Sequence, residues 1–332
     1  CSYINEAVKR GATAVLAPPG TNLAPAHTDR TGAAEFPAGV RLITDSNPRR
    51  RFALMAARFF GTQPNTIAAV TGTNGKTSVA HFTQQIWSQL GFKAGYLGTL
   101  GAVGSGVNLS GSLTTPDPAK LHTLLADLAA RGVSHLAMEA SSHGLHQFRV
   151  DGVKVAIAGF TNISRDHLDY HGSMAAYIAA KLRLFSDVLV EGGTAVLNAD
   201  STECAAFEAA CRLRGHRVLT YGKSGRDIQL INAEVDGAGQ ILDLVVLGKK
   251  YRVRFPLAGA FQVGNALCAL GFVLATGAYD SKAVTALEHL GGVPGRLERV
   301  GTHASGAPIY VDYAHTPDAL ETILRALRAH AS

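Results

Sequence analysis

A lysine and two hydroxyls placed directly after a glycine-containing turn are the first residues in this chain that could do chemistry. In TIAAVTGTNGKTS, residues 66–78, an apolar run from Ile67 to Val70 is cut by Thr71-Gly72-Thr73-Asn74-Gly75, and Lys76-Thr77-Ser78 leads into VAHFTQQIWSQL. Strand, glycine turn, Lys-Thr and helix is the layout that cradles a phosphate. Backbone N–H groups point at the anion, the helix start adds partial positive charge, and the lysine adds a full one. Thr77 offers its hydroxyl to Mg²⁺. The strict spacing G-x-x-x-x-G-K-[ST] fails, because Val70 stands where the first glycine belongs and Gly72 supplies flexibility two residues later. The bland alternative is an ordinary strand-to-helix turn with a solvated lysine. Strand, two glycines and GKT coincide, so nucleotide binding is the stronger reading.

Three further positions carry chemistry. Glu139 ends the apolar strand HLAMEAS, and open α/β sheets place ligands at the carboxyl ends of their strands, where a carboxylate reaches a nucleotide-bound Mg²⁺. The segment Thr161-Asn162-Ile163-Ser164-Arg165-Asp166-His167-Leu168-Asp169-Tyr170-His171 packs metal-competent side chains after another strand. His167 could bind metal through a neutral imidazole nitrogen, with Asp166 or Asp169 behind it; solvated loop polarity is the alternative. In the helix from Ser173 to Phe185, Met174, Tyr177, Ile178, Lys181, Leu182 and Phe185 share one apolar face, so Lys181 stands where leucine is expected. A buried ammonium must snorkel, pair, lose its proton or be chemically changed. The neutral amine is the form that reacts with CO₂ to give a carbamate, an anion able to face Mg²⁺.

These residues need a scaffold, and the chain spells a largely parallel α/β one. From Thr66 to Leu297 strand-like and helix-like stretches mostly alternate. Asp117-Pro118 opens a helix with Leu121, Leu124, Leu125 and Leu128 on one face, and Val153 to Ser164 reads as a strand followed by a polar loop. Residues 227–255 break the alternation with β-rich, antiparallel sequence around Asp236-Gly237, before helices at 260–275 and 281–290. The first 46 residues are too short for a closed core and read as part of an α/β domain, ended by the helix start Asn47-Pro48. A new pattern begins near residue 298, giving expected units of 1–46, 47–297 and 298–332. The chain opens at Cys1 in helix-like sequence and is expected to be a piece of a longer polypeptide.

At 332 residues with 47% hydrophobic and 17% charged side chains, the composition is that of a globular protein with room for two domains and part of a third. No run approaches the ~20 apolar residues that cross a bilayer, and no signal-peptide pattern opens the chain. Four cysteines without a C-x-x-C pair suit a reducing cytoplasm. The net charge of +6 is scattered, apart from Arg49-Arg50-Arg51 and Lys249-Lys250, and no stacking motif for nucleic acid is present. Anionic small substrates suit such a surface equally well.

Taken together, TGTNGKTS, TTPDP (114–118), MEASSHGLHQFRV (138–150), FTNISRDHLDYHGSMAAYIAAKLRLF (160–185), LNAD (197–200), GAFQVGNALCAL (259–270), GRLERV and VDYAHTPDAL resemble the Mur ligases, in order through nearly the whole chain. The resemblance implies a UDP-binding domain, a central ATPase and a C-terminal Rossmann-like domain for the incoming amino acid. It implies that Gly72, Thr73, Asn74, Gly75, Lys76, Thr77 and Ser78 hold the ATP phosphates. Asn265 and Arg296 would lie near the nucleotide, with Asp312 reaching it from the third domain. Glu139 and His167 would be ligands of a second Mg²⁺, and Lys181 would be carbamylated. Thr114, Thr115, Ser141, Gln147 and Arg149 would hold UDP-MurNAc-L-Ala-D-Glu. Within the family the TTPDP and SSHGLHQFRV stretches favour the branch that adds the third peptide residue. Lys76, Glu139, His167 and Lys181 would then serve an acyl-phosphate mechanism in a cytoplasmic, monomeric enzyme. The added residue, meso-diaminopimelate or L-lysine, is not readable, because the segment that reads it would follow Ser332; residues 1–332 alone are expected to lack turnover.

Two alternatives stay open on sequence alone. One is another Mur enzyme or a folylpolyglutamate synthetase, which share the loop and the lysine. The other is a P-loop switch or motor. Asp169-Tyr170-His171-Gly172 fits D-x-x-G, but no N-K-x-D follows anywhere, which argues against a GTPase.

Overall fold

The computed structural model describes residues 4–21, 40–104, 106–110, 113–315, 317–328 and 330. Cys1 and most of the proline- and glycine-rich stretch before residue 40 lie outside them. At the start, α1 (Ile4–Lys9) precedes β1 (Ala14–Ala17), which pairs in parallel with β2 (Arg41–Thr44). Helix α2 (Pro48–Phe60) begins where its cap requires: the Asn47 side chain accepts from Arg50 N and proline fills the first turn.

The main unit then runs β3 (Thr66–Thr71), α3 (Lys76–Gln89), β4 (Ala94–Gly98), β5 (Gly101–Gly104), β6 (Val107–Leu109), α4 (Pro118–Ala130), β7 (His135–Glu139), α5 (Ser142–His146) and β8 (Val155–Phe160). It continues through α6 (Leu168–His171), α7 (Met174–Arg183), a π-helical turn at Leu184–Val188, β9 (Leu189–Asn198), α8 (Cys204–Leu213) and β10 (Arg217–Gly222). Strands β11 (Ile228–Asp236), β12 (Gly239–Val246) and β13 (Lys249–Phe255) come before α9 (Ala260–Ala275) and α10 (Asp280–Thr285). A hairpin of β14 (Glu298–Thr302) and β15 (Pro308–Val311) leads to α11 (Pro317–Arg328).

Among the described residues the strands from β3 to β13 form one sheet in the order β13-β12-β11-β10-β9-β8-β3-β7-β4-β5-β6. The pairs from β11 across to β4 are parallel, and the two at each edge are antiparallel. The antiparallel segment expected at 227–255 therefore extends the main sheet. The β5–β6 hairpin at the other edge had no clear signal, because strands of three or four residues rich in glycine carry little periodicity.

Helices cover both faces. Along β3, Ile67 and Ala69 join the core beneath α4 and α8, while Ala68 and Val70 join the core beneath α3 and α9, the period-2 alternation of a strand buried on both sides. Phe160 stacks on Phe207 at 3.9 Å, and Phe185 meets Phe207 edge-on at 5.2 Å. Each such fully buried side chain contributes roughly 1.5–3 kcal/mol. This apolar mass accommodates the polar groups buried near the carboxyl edge, Thr71, Thr77, Glu139 and Lys181.

The basic clusters are partly engaged at home: Arg50 with Asp151, Arg51 with Asp45, and Lys249 with Asp280. Among the described residues no helix is long and apolar enough to cross a membrane.

His81 on α3 gives the fold a measurable acid sensitivity. Its ring lies 3.9 Å from that of Tyr96, and its Nε2 is buried without a hydrogen-bond partner. Burial lowers its pKa from 6.5 to about 4, so the folded chain keeps the ring neutral where the unfolded chain binds a proton. Stability is fully present above pH 6.5 and falls as pH drops from there toward about 4. Urea midpoints at pH 7 and pH 5 should differ, and His81→Phe should shrink that difference. An unchanged difference in the variant would exclude His81 as its source.

Candidate functional site

The phosphate-type loop is built as its residues suggest. Strand β3 ends at Thr71 and α3 starts at Lys76, with Gly75 left-handed at φ 88° and Gly72 at φ 151°. A Cβ on Gly75 would sit 2.3 Å from Asn265 Oδ1, and one on Gly72 would sit 1.8 Å from Thr161 Oγ1. Both glycines are thus required by close approach as well as by backbone angle. The loop is braced from the β8 side: Thr161 Oγ1 donates to Asn74 O at 2.6 Å, Asn74 N donates to Asn162 Oδ1 at 3.0 Å, and Thr73 N donates to Asn162 O at 2.8 Å.

Two lysines converge on this loop. Lys76 Nζ donates to Gly72 O at 2.9 Å and Thr73 O at 2.8 Å, and Lys181 Nζ donates to the same Gly72 O at 2.8 Å. Lys181 is 1% exposed, so it does not snorkel. Tyr177, Ala180 and Lys181 form the buried face of α7, which continues into Leu184 and Phe185. Burial first, then the charge of Lys76, hold the Lys181 pKa well below its ordinary value, against a weaker pull from Asp166. The Lys76 pKa is also lowered by burial, opposed by Glu139 and Asp166. An amine so placed favours its neutral, nucleophilic form.

Glu139 lies across from these cations at the end of β7 and is 1% exposed. Thr99 holds both its oxygens, donating from N to Oε1 at 2.8 Å and from Oγ1 to Oε2 at 3.1 Å. Burial raises the Glu139 pKa, while Lys76, Thr99 and the Thr77 hydroxyl favour the carboxylate. Among the described residues no group of three or more His, Cys, Asp or Glu is arranged to hold a metal by itself. A carboxylate and a hydroxyl beside a phosphate loop nevertheless fit Mg²⁺, which takes one or two protein oxygens and completes its shell with water and substrate phosphates.

His167 lies in the loop after β8. It adopts φ 51°, its side chain is 46% exposed, its Nε2 is 3.4 Å from Asp166 Oδ2, and its ring meets His143 and Tyr177. Left-handed backbone at a non-glycine costs on the order of 1–3 kcal/mol and persists where surrounding structure enforces it. His143, His146, Tyr170 and His171 complete an aromatic cluster around this loop.

The TTPDP and SSHGLHQFRV residues are joined in one network. Thr114 Oγ1 is 3.0 Å from Thr99 Oγ1. Thr115 Oγ1 donates to Glu139 O and accepts from Ser141 N and Ser141 Oγ, so its hydrogen-bonding capacity is filled. Ser141 in turn caps α5 by accepting from Gly144 N. Arg149 donates to Thr115 O and to Gln147 Oε1, and Gln147 Nε2 donates to Tyr170. Thr115 therefore shapes the shelf, whereas Thr114, Gln147 and Arg149 keep capacity for a ligand.

The third group gathers where the main unit meets its successor. Arg296 Nη2 donates to Thr77 Oγ1 at 3.4 Å, and its guanidinium lies 4.8 Å from the Tyr313 ring centroid. Asn265 Nδ2 donates to Gln262, which in turn donates to Arg296 O. Asp312 is turned to its own hinge, accepting from Leu297 N and Ala314 N at 2.6 Å each. Asn265 and Arg296 thus touch the loop, and Asp312 secures the backbone next to Arg296.

Two residues of this site have no signal in the sequence. Thr99 sits in GYLGTL with no motif around it, and Tyr177 reads as one more apolar-face residue. Their roles depend on neighbours far along the chain.

The model of the Mur ligase middle domain matches residues 70–273, and that of the Mur ligase glutamate ligase domain matches residues 295–332. The chain belongs to the Mur ligase family. Among similar Mur ligases, the UDP-N-acetylmuramoyl-L-alanyl-D-glutamate--2,6-diaminopimelate ligase of Bradyrhizobium diazoefficiens is 53% identical over 296 residues, covering 88% of this chain and 61% of that protein. The protein of the same name from Caulobacter vibrioides is 48% identical over 336 residues, 99% of this chain and 66% of its own. The chain therefore spans less than two thirds of these relatives. A solved structure of a ligase of that name aligns with TM-score 0.78 at 32% identity, covering 89% of this chain and 60% of the other. MurF from Acinetobacter baumannii, at 20% identity and TM-score 0.70 over 100% of this chain and 66% of its own, shares the fold.

Proposed function

We propose that this Mur ligase chain carries the ATP site of a cytoplasmic enzyme that joins meso-diaminopimelate to UDP-MurNAc-L-Ala-D-Glu, with units at 1–46, 47–297 and 298–332. The observation that carries this is the meeting of Lys76 and a buried Lys181 on the Gly72 carbonyl, beside the buried carboxylate of Glu139. Diaminopimelate is preferred to L-lysine because it appears in the names of relatives 48–53% identical.

The chemistry is dictated by charge. A substrate carboxylate must attack the γ-phosphorus of ATP, anion against anion, to give an acyl phosphate; the amino group of the diamino acid then attacks its carbonyl and phosphate leaves. Lys76, the loop N–H groups and the start of α3 bind the β- and γ-phosphates and offset the charge that develops on them. Thr77 would hold one Mg²⁺ beside the phosphates and Glu139 with His167 a second, and the ions would supply further neutralisation of the phosphate oxygens. The neutral Lys181 amine attacks CO₂ and releases a proton, leaving a carbamate whose anionic end is a fitting second-metal ligand. Arg149, with Gln147, Thr114 and Ser141, orients the anionic peptide end of the substrate, while Asn265, Arg296 and Asp312 border the nucleotide.

The test is ATP-dependent tripeptide formation by a polypeptide that extends this chain to the full length of its relatives, read by mass spectrometry and phosphate release. Product with meso-diaminopimelate and little with L-lysine is expected. ATP hydrolysis that ignores the carboxylate substrate would instead indicate a nucleotide switch, and product only with UDP-MurNAc-tripeptide or folate would indicate another ligase.

A further inference from the structure

Tyr177 is completely buried, and the mechanism above leaves it unused. It lies one helical turn before Lys181, and the two side chains reach consecutive residues of the phosphate loop. Tyr177 Oη is 3.0 Å from Thr73 Oγ1, and Lys181 Nζ donates to Gly72 O at 2.8 Å. The same Tyr177 ring lies under the Lys181 amine, 4.4 Å from Nζ to centroid.

The direction of the hydroxyl bond follows from counting protons. Thr73 Oγ1 accepts from Ser164 N at 2.9 Å and donates its one hydrogen to Ser164 O at 3.3 Å. One lone pair remains, so the Tyr177 hydroxyl is the donor and Thr73 is then fully satisfied. Thr73 therefore does not spend its hydroxyl on a phosphate. It ties the loop to α7 through Tyr177 and to the segment after β8 through Ser164.

Resting on the proposed nucleotide site, we infer that Tyr177 is a positioning residue: its hydroxyl fixes Thr73, and with Lys181 on Gly72 it holds the phosphate loop open against α7. Loop N–H groups bind an anion well only when their orientation is set beforehand, since ordering them during binding is subtracted from the affinity. Removing the hydroxyl frees one end of the two-point attachment and leaves a half-buried acceptor on Thr73 without its partner.

The test is Mg-ATP affinity of this chain by titration calorimetry, for wild type, Tyr177→Phe, Thr73→Val and the double variant, with circular-dichroism melts confirming that each is folded. Tyr177→Phe should weaken binding about fivefold, the worth of one neutral hydrogen bond. The double variant should bind no more weakly than the weaker single variant, because both substitutions remove the same link. Affinity of Tyr177→Phe within twofold of wild type, or additive losses in the double variant, would overturn the inference. Absence of Mg-ATP binding by the wild-type chain would instead count against the nucleotide site itself.

Discussion

In a polypeptide that extends this chain to the full length of its relatives, Lys181→Ala should reduce ATP-dependent amide formation on the order of 10³-fold, the scale seen when one electrostatic stabiliser of a transition state is removed. Short-chain carboxylates such as acetate or formate should restore part of the rate, because the alanine leaves space for an anion where the carbamate would be. The companion measurement is stability. Lys181 is 1% exposed, its amine bonds one carbonyl, and no carboxylate pairs with it among the described residues. Replacing a buried charge by an apolar side chain of similar volume is often neutral or stabilising. Lys181→Met should accordingly unfold at the same or a higher denaturant concentration while losing activity. Its pH dependence should change too. The folded pKa lies well below 10.5, so the unfolded chain binds more protons between the two values and wild-type stability rises with pH across that window. Lys181→Met should flatten that rise. Full activity of the alanine variant without additives, or marked destabilisation of the methionine variant, would remove Lys181 from the chemistry.

The second large effect is structural. Asp151 is buried between α4, α2 and the end of α7: its side chain is 4% exposed and pairs with Arg183 Nη2 at 3.2 Å and Arg50 Nε at 3.0 Å. Arg183 is itself mostly buried, lies over the Phe148 ring at 4.2 Å and also donates to Leu145 O. Without Asp151, Arg183 keeps Asp187 at 3.0 Å but loses its buried partner, so Asp151→Ala should cost about 1–3 kcal/mol. Arg50 is 53% exposed and screened by water, so Arg50→Ala should cost about 0–1 kcal/mol. Urea unfolding of the two variants distinguishes them; equal losses would mean that Asp151 acts through packing alone.

These results separate what was legible in the chain from what was not. The loop, the cap residues Asn47 and Asp117, and the buried strand ending at Glu139 were all readable, because local spacing alone produces them. The misplaced lysine in the α7 stripe was readable for the same reason: a helix face is a property of sequence period. The fate of that lysine was not. The spacing by itself favours snorkelling, and only α7 packed against the β3–α3 loop decides instead for burial on Gly72 O.

Thr99 and Tyr177 mark the other side of that division. Thr99 matters because β4 lies beside β7 and brings it to a carboxylate 40 residues on; Tyr177 matters because α7 crosses a loop 104 residues earlier. His167 has the right type for a metal ligand, and the fold sets its half-exposed ring beside Asp166 and His143. Sequence alone determined the phosphate loop and the long strands and helices around it, though not the short β5–β6 hairpin, since hydrophobic period, caps and glycines act over a few residues. Which donors meet which acceptors was decided by the order of strands in the sheet, because that order alone sets the distances between residues far apart in the chain.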